Sequence, residues 1–203
     1  MLNTTVKQGR LIVIAGASQS GKTTYTVRET RSHKRIIAWD PEDQFSQLKG
    51  YHRITTPQGL LEATKSPSNI KIAYVASANL KENFNFFCGC AFRWGWRFGA
   101  CTVIGEELAD VTTVSKAPDK WGILLRRGLK RGITIFAISQ RWAEADKTAI
   151  GNASEFVCFR MNGDDIPYMA RKTRIKIDQL ENLNSYQYVH YTPASKLTQT
   201  GKV

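Results

Sequence analysis

Gly16-Ala17-Ser18-Gln19-Ser20-Gly21-Lys22-Thr23 reads G-x-x-x-x-G-K-T. Gly16 and Gly21 let the backbone bend so that successive N–H groups converge on an anion. A helix starting near Gly21 adds the partial positive charge of its N-terminus. Lys22 brings a full charge for β- and γ-phosphates, and Thr23 a hydroxyl for Mg²⁺. With Thr24 these residues form the expected nucleotide-binding set, for ATP with Mg²⁺. Two further groups suit the same chemistry. Glu106 and Glu107 follow an apolar run, Glu106 to hold the metal shell and Glu107 to polarise an attacking water. Glu106 stands where an aspartate is usual, and its extra methylene carries the carboxylate about 1.5 Å further out. Gln140, at the end of another apolar run, can hydrogen-bond a γ-phosphate or the water.

These side chains need strands and helices to aim them. Arg10–Ala15 reads as a strand before the glycine turn and Thr24–Arg31 as the helix after it, the context that the motif requires. Further strands are expected at 35–39, 70–76, 100–105, 132–138, 155–161 and 186–191. Helices are expected at 57–65, with Thr56 as cap and Pro57 in its first turn, and at 79–98, 120–130, 145–151, 164–172 and 177–183. Residues 111–119 read as a loop and the polar tail from Thr192 to Val203 as loose at its end. The alternation of strand and helix predicts an α/β fold with a mainly parallel sheet. Asp40 ends the second strand, either at the ligand edge of the sheet or as an ordinary turn residue before Pro41. Phe84, Phe86, Phe87, Phe92, Trp94, Trp96 and Phe98 fall in one helix with Arg93 and Arg97 between them. Such a row can stack bases, but core packing plus an oligomer contact is the favoured reading.

The 203 residues, 42% hydrophobic and without an internal repeat, fit one domain. With 29 Lys+Arg against 17 Asp+Glu the net charge is +12, which points to a polyanionic partner, most simply nucleic acid. No apolar run is long enough to span a bilayer, and the N-terminal residues lack the pattern of a secretory signal. Cys88, Cys90, Cys101 and Cys158 lack zinc spacing and read as reduced core thiols.

The order of these pieces resembles the HerA–FtsK class of P-loop ATPases, which pump DNA. Ile104-Gly105-Glu106-Glu107-Leu108-Ala109-Asp110-Val111 is similar to that family's I-V-D-E-F-A-D-L segment, and Gly132-Ile133 through Ser139-Gln140-Arg141 to its G-I…T-Q-R segment. Length and the lack of a membrane segment are similar to the genome-packaging ATPases of tailless icosahedral viruses with an internal membrane. The resemblance implies a RecA-like fold, an ATP-driven motor moving double-stranded DNA into a preformed capsid, and a hexameric or pentameric ring. It also implies capsid or portal-vertex partners, and work in the host cytoplasm or at the packaging vertex of the virion. Leu129 stands where the family places an arginine, so the arginine lent to a neighbour's γ-phosphate falls to Arg126, Arg127 or Arg131. Lys116 and Lys120 are expected channel contacts. The alternatives are a filamentous-phage-type assembly ATPase extruding single-stranded DNA, a P-loop small-molecule kinase, and a nucleotide-binding switch without turnover.

Overall fold

The computed structural model describes residues 8–115 and 118–203. In chain order the elements are β1 (Leu11–Ala15), α1 (Lys22–Glu29), β2 (Ile36–Trp39), β3 (Tyr51–Ile54), α2 (Pro57–Ala63), β4 (Lys71–Tyr74) and α3 (Leu80–Phe98). Then come β5 (Thr102–Gly105), α4 (Leu108–Val111), α5 (Asp119–Ile123), a π turn at Leu124–Gly128 and a 3-10 turn at Leu129–Arg131. The chain continues with β6 (Thr134–Ser139), α6 (Lys147–Asn152), β7 (Glu155–Phe159), α7 (Asp165–Lys172), α8 (Ile177–Glu181), β8 (Gln187–Thr192) and β9 (Leu197–Lys202).

The strands form one sheet of order β3-β4-β2-β5-β6-β1-β7-β8-β9. The pairs β3/β4, β4/β2, β2/β5 and β1/β7 are parallel, while β7/β8 and β8/β9 are antiparallel. Leu11–Ala15 and Ile36–Trp39 are buried along their whole length. That is the demand of interior parallel strands, and it explains why both are unbroken apolar runs. The fold is α/β with a mainly parallel sheet, as expected.

Contacts gather the chain into two compact units, each built from three stretches. The first holds the stretch ending at Arg10, His33–Gly105 and Pro118–Ile135. Its core is aromatic: Trp39 packs its ring at 5.3 Å from Phe84 and 5.9 Å from Tyr74 and from Phe87, and Phe84 lies 5.5 Å from Trp121. The second holds Leu11–Ser32, Phe136–Val203 and the stretch that begins at Glu106. There Tyr25 of α1 meets Phe159 and Tyr188 edge-on, and the Trp142 indole N–H donates to the Ile14 carbonyl at 2.8 Å.

Some expectations are corrected. The tail is not loose: β9 pairs with β8 from Leu197 to Lys202. The helix expected at 120–130 is three short pieces, because the chain widens into a π turn at 124–128 and tightens at 129–131. β3 was not anticipated. Asp40 behaves as a loop clasp, its buried carboxylate accepting the N–H groups of Gln44 at 2.8 Å and Ser46 at 2.9 Å. The Thr56 cap is as expected, its hydroxyl accepting the Gly59 N–H at 3.1 Å ahead of Pro57. All four cysteines are free and buried. Among the described residues no helix is long and apolar enough to cross a membrane.

Candidate functional site

The turn between β1 and α1 is a tight cradle. Gln19 and Gly21 both take left-handed backbone, at φ 57° and 113°. Gly16 has no room for a side chain: a Cβ there would meet Ser20 Oγ at 2.6 Å and Phe159 Cβ at 2.7 Å. Beneath the turn, the Ala17 N–H donates to the Arg160 carbonyl at 2.8 Å. Ser18, Gln19 and Thr24 are exposed, Thr23 is half-buried, and Ser20 is fully buried. The buried Ser20 hydroxyl finds no hydrogen-bond partner among the described residues. Lys22 is only 7% exposed, and its ammonium curls over the turn to donate to the carbonyls of Gly16 and Ala17, both at 2.9 Å. Burial lowers its pKa, while the charges of Glu107 and Glu106 act to raise it.

The two acids that follow β5 have different partners. Glu106 is 2% exposed, and the Thr23 hydroxyl faces its Oε1 at 3.4 Å. That distance is long for an O–H···O bond, and it sets two hard oxygen donors side by side, the donor type that Mg²⁺ accepts. Among the described residues no cluster of three or more His, Cys, Asp or Glu could hold a metal. A metal held by Thr23, Glu106 and the phosphates of a ligand needs no such cluster. Glu107 takes left-handed backbone at φ 44°, a strained setting for a non-glycine residue. Its Oε1 accepts the Gln140 side-chain N–H at 2.9 Å.

Lys22, Thr23, Glu106, Glu107 and Gln140 therefore come together within the second unit. Arg126, Arg127 and Arg131 belong to the first unit and are exposed. Arg126 folds over Gly122, where a Cβ would lie 3.0 Å from its Nη1. Arg127 lies over Phe92 and Trp96 at 5.8 and 5.4 Å, and Arg131 stacks on Trp96 at 3.6 Å. The aromatic row of α3 is thus divided. Phe84, Phe87 and Trp94 are core, whereas Trp96 is 43% exposed and sheathed in arginine. Lys120 sits on α5, where its backbone N–H donates to the Asn85 side chain at 2.9 Å, and Lys116 lies outside the described residues. Phe159, Arg160 and Tyr186 also touch the turn. Nothing in their residue types marks them, because the contacts arise only when β7 pairs with β1 and β8 with β7.

Comparison with solved structures gives this arrangement a context. The genome packaging NTPase B204 of Sulfolobus turreted icosahedral virus 2, in complex with ATP-gammaS, superposes with a TM-score of 0.79. The match covers 95% of this chain and 97% of that one, at 15% identity. The fold is that of viral genome-packaging NTPases. B204 of Sulfolobus turreted icosahedral virus, described as its DNA-packaging ATPase, superposes at 0.75 over 97% of this chain and 98% of that one, at 17% identity. EccC of Thermomonospora curvata, with its ATPases 2 and 3, matches at 0.58 over 95% of this chain but 37% of its own, at 13% identity. In sequence the chain is 28% identical to Protein P9 of Pseudoalteromonas phage PM2 over 210 residues, covering 94% of this chain and 90% of that protein. No family model matches the chain.

Proposed function

We propose that this chain is an ATPase that drives double-stranded DNA into a preformed viral capsid. The observation that carries the reading is the meeting of Lys22, Thr23, Glu106, Glu107 and Gln140 around one glycine turn. The fold shared with packaging NTPases and the net charge of +12 support the DNA part.

ATP lies on Gly16–Thr24 with its phosphates against the turn's N–H groups and the start of α1. Lys22 exchanges its two carbonyl contacts for the β- and γ-phosphates. Such an exchange offsets the burial that now disfavours its charge. Thr23 and Glu106 would hold Mg²⁺ together with the phosphates, and the ion would supply positive charge to the phosphate oxygens. Glu107 orients a water and accepts its proton as the oxygen attacks the γ-phosphorus, and ADP leaves. Gln140 positions Glu107 and reads the γ-phosphate. One of Arg126, Arg127 and Arg131 reaches the γ-phosphate of a neighbouring subunit in a ring, adding positive charge at the transition state. The interleaving of three stretches in each unit supports treating residues 1–203 as one domain. Packaging places the protein in the host cell, at the capsid vertex through which the genome enters.

The test is the ATPase rate with and without double-stranded DNA, together with mass in solution. Stimulation by DNA and a ring-sized species are expected. A DNA-indifferent monomer that turns over only with a small phosphate acceptor would replace the motor with a kinase.

A further inference from the structure

The glycine turn has two flanks. On one stand Glu106, Glu107 and Gln140, which fix the γ-phosphate end of any triphosphate held there. The other flank is built from Phe159, Arg160, Tyr186 and Val203. The Tyr186 N–H donates to the Ser20 carbonyl at 2.8 Å, and the Tyr186 carbonyl accepts the Val203 N–H at 3.0 Å. A Cβ on Gly21 would lie 3.2 Å from Tyr186 Cα. In the sheet β6 and β7 lie on opposite sides of β1, so a nucleotide whose γ end faces the acids would extend its ribose and base toward this second flank.

Tyr186 is unusual in its own right. It sits in the turn closed by the Gln187 N–H on the Asn184 carbonyl at 3.0 Å, with φ at 66°. That backbone suits glycine or asparagine and is strained for a bulky aromatic residue. Both backbone tethers to Ser20 and Val203 would form as well with glycine, at less strain. The ring does not repay the strain by burial, since the residue is 45% exposed. What remains unexplained is the side chain, and strain kept at a ligand-binding loop is a mark of function.

We infer that the Tyr186 ring is the stacking platform for the nucleobase of the nucleoside triphosphate bound on Gly16–Thr24. The inference rests on the phosphate-loop reading above and names the base-recognition side of that same site. A phenol ring reads the face of a base and not its edge, so stacking favours purines over the smaller pyrimidines and discriminates little between adenine and guanine.

Titration calorimetry with ATP, CTP and inorganic tripolyphosphate, each with Mg²⁺, tests it. Tyr186→Phe binds ATP like the parent. Tyr186→Gly and Tyr186→Leu each lose about tenfold in ATP affinity, a factor in the range of one base stack, lose less for CTP, and bind tripolyphosphate unchanged. Thermal melting of unliganded Tyr186→Gly is not lowered, because the turn favours glycine. Parent-like ATP binding by both variants overturns the proposal. So does an equal loss for ATP and tripolyphosphate, which would place the effect in the backbone of the turn. A parent protein that binds neither compound refutes the phosphate loop itself, and the platform with it.

Discussion

On the proposed reading, Lys22 serves both binding and hydrolysis, and Glu107 serves the chemistry alone. Lys22→Ala removes the ammonium folded over the turn and is expected to abolish measurable hydrolysis and weaken ATP binding together. Glu107→Gln keeps the shape and the contact with Gln140 but cannot take a proton. It should retain ATP binding while the turnover number falls ~10³-fold, within the range for loss of a general base. Single-turnover hydrolysis beside equilibrium ATP binding separates the two, and equal losses in both for Glu107→Gln would remove the base role. The positions of the candidate site residues were largely legible in the sequence. The phosphate turn is local, and eight consecutive residues carry its geometry. Glu106, Glu107 and Gln140 were legible because they directly follow apolar strands. Tyr186 was not, because its meeting with Ser20 depends on how β8 lies beside the turn. The left-handed backbone of Glu107 was equally hidden, since no glycine marks it.

At the scale of elements, the interior strands and the long helix were readable from apolar runs, and the two sheet edges were not. β3 reads Tyr-His-Arg-Ile with His52 and Arg53 exposed, and β9 reads Leu-Thr-Gln-Thr-Gly-Lys and is mostly exposed. Edge strands carry polar residues that discourage pairing with other chains, and this removes the pattern that betrays a strand. The helix expected at 120–130 failed for a related reason: a π turn has no composition of its own. Gly95 of α3 is a contact point. A Cβ there would press on the Ile133 side chain, with Cγ1 at 2.6 Å, and on Cys101 Sγ at 3.1 Å. Ile133 is fully buried and β-branched, so it yields little. Gly95→Ala is therefore expected to cost about 1–3 kcal/mol in spite of the better helix propensity of alanine. The measurement is the urea midpoint; an unchanged or raised midpoint would mean that the α3 contact is looser than described.

For the whole molecule, charge and burial set the response to solution conditions. With +12 net charge, DNA affinity should fall linearly in log salt, by ~10³-fold or more between 50 and 200 mM if six or more phosphates are neutralised. A flat dependence would remove the electrostatic account of DNA binding. Stability should also fall in mild alkali. Burial pushes the thiols of Cys101 and Cys158 from 9.0 up to about 12. Below pH 9 both states hold these protons and the contribution is intact. Between pH 9 and 12 the unfolded chain ionises its thiols while the folded one does not, so stability drains away as pH rises. Thermal melts at pH 8 and pH 10 check the sign, and replacing Cys158 with alanine should flatten the slope. The interleaved stretches of the two units also govern synthesis. As the polypeptide leaves the ribosome, the unit that holds His33–Gly105 lacks a stretch until Ile135 has emerged. The one that carries the phosphate turn waits for β7, β8 and β9. The nucleotide cradle is thus among the first pieces made and the last to be enclosed, and no single proteolytic cut can release either unit whole.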